Sequence, residues 1–177
     1  MLAHLIKLFS PSAGQQEAYS LYAALVQQAR TPELYTVLAV PDTLDGRFEL
    51  IVLHVFLIFN RLRNEENTAS LQQYLAEAFF DDMDRNLREM GVGDTGIGRR
   101  VQKMSEAFYG RMKIYAESLE NPLTLEAALR RNLYGTLPEK ADPPLSVAAK
   151  YMIESASLLK SQPFSEIEAV RPHFATL

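Results

Sequence analysis

Three groups of side chains have types and spacings that chemistry could use. Asp81, Asp82 and Asp84 bring carboxylates together in one short stretch, as a Mg²⁺ shared with a substrate diphosphate requires; helical prenyl-transfer enzymes use aspartate-rich helices in this way. Gly91-Val92-Gly93-Asp94-Thr95-Gly96 fits G-x-G-x-x-G, the loop that cradles a pyrophosphate when a strand precedes it and a helix follows. His54 sits in the most apolar run of the chain, where an imidazole could ligate a metal or haem. His4 and His173 lie near the termini.

Each group has a plainer explanation. No second aspartate-rich helix faces the first, and Arg85 and Arg88 lie one turn away, so i, i+4 pairing neutralises the acids on a solvated helix face. A helix precedes the glycines, so Gly91 is a left-handed cap and Gly93 belongs to a sharp interhelical turn that Asp94 or Thr95 closes by capping the next helix. His54 is expected to be a core residue hydrogen-bonded to a neighbour. There is no cysteine, and no nucleophile–base arrangement is recognisable. The sequence therefore implies no catalytic residue, no metal and no cofactor.

The elements that position these groups are helices. Apolar periodicity and breakers predict helices over about 15–30, 44–64, 68–90, 95–120, 124–134 and 146–161, with a short segment after Thr31-Pro32. Residues 44–64 are apolar nearly all round and mark a central buried helix. Their β-branched content makes a strand the competing reading, but no partner strand with turn signals is nearby. The stripe Leu71, Leu75, Phe79, Met83, Leu87, Met90 and the stripe Val101, Met104, Phe108, Met112, Tyr115, Leu119 should pack antiparallel across the short glycine link. Val147, Tyr151 and Leu158 count among the apolar positions of the last helix, and the polar tail from Gln162 is expected to dock loosely. The fold class is all-α: a single compact domain over 1–177 with about six to eight helices, a core at about 35–135, and a C-terminal helix and tail at 145–177.

Composition excludes several partners. The net charge is −4, unlike that of a strongly basic nucleic-acid binder, so no DNA partner is expected. The apolar run Phe48 to Phe59 is too short to span a bilayer. The start, MLAHLIKLFSPSAG, lacks the form of a signal peptide.

What remains is surface. Opposite the core stripe of the fifth helix, Arg100, Lys103, Ala107, Gly110, Arg111 and Ile114 share a broad face. Small residues let a partner approach, and the cations bind carboxylates or phosphates at its edge. Gly110 costs roughly 1 kcal/mol against alanine in a helix interior, which calls for a close neighbour, internal or external. Lys103 and Arg111 lie off the apolar stripe, so their stems are expected to be solvated. A second charged stretch, Pro41 to Leu50, opens the apolar helix. Asp42 and Asp45 suit its positive end, whereas Arg47 and Glu49 point to a buried ion-pair network.

Four stretches, PDTLDGRFELIVLH (41–54), LREMGVGDTGIGRRVQKM (87–104), FYGRMKIY (108–115) and RRNLYG (130–135), resemble the ubiquinol–cytochrome c chaperone family, the assembly factors of the cytochrome bc complex. They contain Asp42, Asp45, Arg47, Gly91, Gly93, Asp94 and Tyr115. The resemblance implies a non-enzymatic role. Mitochondrial members bind newly made cytochrome b with a small partner protein, associate with ribosomes near the tunnel exit, and hold the client while haem is inserted. The start of this sequence has no mitochondrial-type extension, so the expectation is a bacterial cytoplasmic protein, peripheral to the inner membrane through transient contacts, with cytochrome b or another membrane protein as client. Two other functions stay open on the residues alone: a Mg²⁺-dependent prenyl-transfer-like enzyme built on the aspartates, and an RNA- or ribosome-binding module built on the fifth-helix cations.

Overall fold

The structure, a computed structural model, describes residues 13–91 and 93–177, leaving aside the side chains of Ala13, Asp94 and Thr95. The apolar start with His4, and the Asp94 side chain, lie outside the described residues. Among the described residues eight helices follow one another: α1 Ala13–Gln28, α2 Pro32–Thr36, α3 Leu44–Leu62, α4 Ala69–Glu89, α5 Asp94–Ser118, α6 Pro122–Arg131, α7 Leu145–Ser161 and α8 Phe164–Glu168. No strand occurs among the described residues, so the all-α expectation holds and the strand alternative for 44–64 falls.

The apolar density of α3 gives it the central place. Leu50, Val52, Leu53, Val55, Phe56, Leu57, Ile58 and Leu62 are all buried, on every side of the helix. Around it, α1 lies along α4, α5 packs on α3 and α4, and α6 and α7 close the other side. Burial of this continuous apolar surface, about 25 cal/mol per Å², is the main force holding the helices together. Phe79 and Phe80 on α4 stack on Phe108 of α5. These residues lie well back from the link on both helices, which makes α4 and α5 antiparallel, as the short connection predicts.

Local signals explain the boundaries. Thr43 caps α3, its hydroxyl accepting the Gly46 amide at 3.2 Å. The Asn121 side chain caps α6 through the amides of Leu123 and Thr124, with Pro122 in the first turn. Gly91 has φ +76° and ends α4 as a left-handed cap. The N-cap of α5 is Gly93, in place of the expected Asp94 or Thr95.

Three packing expectations change. Met90 is 52% exposed although it continues the α4 stripe, because the helix end passes beyond the core. Val147 and Leu158 face outward from α7, whose inner face is Ala148, Ala149, Tyr151, Met152, Ser155 and Leu159. The tail is tied down. The Gln162 side chain donates to Glu166 and to the Arg171 carbonyl and accepts the His173 amide. The Ala175 amide donates to Ser155 at 3.0 Å, and Phe174 stacks on His54. Polarity suggests a loose tail, but here it supplies the anchors.

Candidate functional site

One open cleft of about 920 Å³ lies where the C-terminal ends of α1, α4 and α6 meet the N-terminal halves of α3 and α5. Its floor is apolar, with Val26, Phe48, Ile51, Met83, Leu87 and Met104, and Leu44 and Met90 stand exposed at its margin. Six cationic side chains line it: Arg30, Arg47, Arg100, Lys103, Arg111 and Arg131. Four acidic ones do also: Asp42, Asp45, Glu49 and Asp82.

Pairing sorts these charges into two sets. Arg111 grips Glu49 with two prongs, Nη2 at 2.6 Å and Nε at 3.1 and 3.2 Å from the carboxylate oxygens. Glu49 is only 6% exposed. Burial lowers the guanidinium pKa, but the hydrogen bonds and charge of Glu49 outweigh it and leave Arg111 above its ordinary value. Arg47 pairs with Asp42 at 2.7 Å on the surface. Asp82 takes Arg85 at 2.5 Å and the Tyr22 hydroxyl at 2.8 Å. Among the described residues no carboxylate pairs with Arg30, Arg100, Lys103 or Arg131. The cleft is therefore locally cationic in a chain of net charge −4.

Two glycines shape its walls. A Cβ on Gly46 would lie 2.0 Å from the Pro41 carbonyl oxygen, so only glycine lets the turn at 41–43 fold against the start of α3. A Cβ on Gly135 would meet the Arg131 carbonyl at 2.4 Å. Beside it, the Tyr134 hydroxyl donates to the Leu38 carbonyl at 2.7 Å, and Arg130 donates to the carbonyls of Tyr134 and Pro138. Together these fix the chain after α6 and present Arg131 and Asn132 to the cleft.

The fifth-helix face divides. Arg100 and Lys103 are exposed on the cleft wall. Arg111 is largely buried in its ion pair, which overturns the expectation of a solvated stem. Ile114 packs against the core. Gly110 is exposed, and a Cβ added to it would meet nothing within 4 Å, so no neighbour among the described residues explains it. Tyr115 is wholly buried against Phe56. The expected network at Arg47 and Glu49 is two separate pairs, one exposed and one buried. Nothing local in the sequence singles out Arg30, Gly46, Arg131 or Asn132. Arg30 and Arg131 stand at helix ends, where a cation ordinarily answers the helix dipole.

The chemistry candidates find structural partners. Asp81 accepts the Tyr19 hydroxyl and Asp84 pairs with Arg88 at 2.7 Å, so with Asp82 the cluster helps join α1 to α4 as well as facing water. Among the described residues no three carboxylate or imidazole side chains gather at metal-ligand spacing. The glycine-rich link joins two helices. His54 is fully buried, with Nδ1 donating to the Leu50 carbonyl at 2.7 Å and Nε2 accepting the Tyr151 hydroxyl at 2.8 Å. Burial pushes its pKa down to about 4.

Comparison with known proteins bears on this arrangement. The family model described as ubiquinol-cytochrome C chaperone matches residues 36–174. The chain belongs to the ubiquinol–cytochrome c chaperone family. It is 25% identical over 146 residues to ubiquinol-cytochrome-c reductase complex assembly factor 1 of Xenopus laevis, covering 80% of this chain and 72% of that protein. The corresponding assembly factor of Mus musculus is 24% identical over 81% of this chain and 49% of its own length. The chain thus spans about half of the mouse protein. The crystal structure of the Cbp3 homolog from Brucella abortus has the same fold, with a TM-score of 0.81 and 31% identity over 99% of this chain and 97% of that one. The all-helical architecture is therefore that of this chaperone family.

Proposed function

We propose that this chain is a non-catalytic assembly chaperone of the ubiquinol–cytochrome c reductase complex, and that its cleft holds newly made cytochrome b. One observation carries the reading. The stretches 41–54, 87–104, 108–115 and 130–135, far apart in sequence, all contribute to the walls of this cleft. Each stretch also supplies core residues, such as Leu50 and Phe108, and this cleft is a place where all four meet at the surface. The cleft has an apolar floor and cations that no carboxylate among the described residues pairs with, which suits a protein segment better than a reaction. Contact with the bilayer would run through the client, since no described helix is long and apolar enough to cross a membrane. A small partner protein and the ribosome remain further partners in this proposal, on the remaining surface.

The test is a photo-crosslinking residue in place of Ala107, on the cleft wall, in intact cells. We expect an adduct with cytochrome b, and loss of assembled complex when the gene is deleted. Full assembly in the deletion strain, with no cytochrome b adduct, would refute the proposal.

A further inference from the structure

The unpaired charges in the cleft say what kind of segment it takes. The acidic side chains Asp42, Glu49 and Asp82 are already occupied by Arg47, Arg111 and Arg85, while Arg30, Arg100, Lys103 and Arg131 are not matched by any described carboxylate. All four line the same cleft as the apolar floor, and they come from three parts of the chain: just after α1, the first half of α5 and the end of α6. Cations beside an apolar floor ask for a segment that offers carboxylates next to apolar side chains.

The floor adds a second constraint. Met83, Met90 and Met104 all line the cleft. Unbranched, polarisable methionines adapt to varied apolar side chains. The walls are helices, and no strand edge exists among the described residues. An extended segment would find no ladder for its backbone N–H and C=O groups, whereas a helix satisfies its own. The carboxylates that remain at the wall, Asp45 among them, disfavour a phosphate-rich ligand and suit a segment of mixed polarity.

We propose that the cleft recognises its client through a short acidic amphipathic helix, laid apolar face down on Phe48, Met83, Leu87 and Met104, with its carboxylates meeting Arg30, Arg100, Lys103 and Arg131. This rests on the client-binding reading of the cleft and names the feature that is bound. The partner is a protein helix; an anionic lipid is the competitor that the test must separate.

The experiment uses the full chain and two stapled fluorescent peptides with the same leucines, one carrying glutamates and the other lysines on the polar face. Anisotropy should show binding of the glutamate peptide, weakened by salt, and none of the lysine peptide. The double variant R100E/K103E should keep the parental melting temperature and bind the glutamate peptide about tenfold more weakly. Equal binding of both peptides would overturn the proposal, leaving apolar contact as the recognition. So would unchanged binding by the double variant, or sedimentation with phosphatidylglycerol vesicles that requires Arg100 and Lys103 while the glutamate peptide fails to bind. The Ala107 crosslink separates the two levels. A cytochrome b adduct without peptide binding removes this inference and leaves the chaperone reading; peptide binding without that adduct does the reverse.

Discussion

Glu49 on α3 and Arg111 on α5, 62 residues apart, form a two-pronged ion pair at the inner wall of the cleft. It joins the central helix to the helix that carries Arg100 and Lys103, so it sets where those cations stand. The pair is more than three-quarters buried on both sides, and breaking such a pair from one side costs about 3–5 kcal/mol because the other charge stays buried.

Arg111→Glu is therefore expected to lower the melting temperature by about 6–20 °C, taking about 2–4 °C per kcal/mol for a chain of this size. The exchange E49R/R111E should recover part of the loss. Thermal denaturation by circular dichroism measures both. A variant that melts with the parent would show that the pair is not structural.

Two glycines should respond in opposite directions. Gly46→Ala forces a Cβ into the Pro41 carbonyl and is expected to cost about 1–3 kcal/mol, as overpacking does, and to distort the cleft wall. Gly110→Ala meets open space and should gain up to about 1 kcal/mol from helix propensity. If the solvent-facing Gly110 serves an external partner, Gly110→Leu will leave the melt intact and still reduce assembly of the complex. Melts of the three variants, paired with complex levels in cells, distinguish these outcomes.

These contrasts show what the sequence could carry. Periodicity locates the helices, and the breakers locate the turns, because both are local. Lys103 and Arg111 both lie off the apolar stripe of α5, and nothing in that helix tells that Glu49 of another helix meets one and leaves the other free. Arg30 and Arg131 look like ordinary helix-end cations until the fold brings their ends to one cleft. Gly46 sits in a first turn where glycine needs no reason, and its reason is a carbonyl five residues earlier that only the folded turn brings close. Polarity in the tail reads as solvation, whereas the Gln162 amide is spent on holding the backbone around it.

Replacing Asp81, Asp82 and Asp84 together by asparagine should leave complex assembly intact. At positions 81 and 82 an asparagine still offers an oxygen to Tyr19 and Tyr22, and the pairs with Arg85 and Arg88 contribute at most about 1 kcal/mol each. The melting temperature should fall by only a few degrees, and millimolar Mg²⁺ should not raise that of the parent. A Mg²⁺-dependent rise, or loss of assembly with the fold kept, would point to a metal-dependent activity at the cluster.

The buried imidazole gives stability a pH dependence. His54 is held neutral, with a folded pKa of about 4 against an ordinary 6.5. Above pH 6.5 both folded and unfolded states are neutral at this site, and its contribution is fully present. As pH falls below 6.5 the unfolded chain takes up a proton that the folded chain refuses, so stability drops by up to about 1.4 kcal/mol per unit until about pH 4. Between pH 7 and 5 the loss should reach roughly 2 kcal/mol, before most carboxylates titrate. Phe174 covers the ring and the Tyr151 hydroxyl takes its Nε2, so Phe174→Ala should admit water, raise the folded pKa and flatten this slope while lowering stability at pH 7. His54→Asn should flatten it outright. Urea denaturation in steps from pH 7.5 to 4.5 reads both slopes, and equal stability at pH 7 and 5 in the parent would mean that the imidazole is protonated inside the fold.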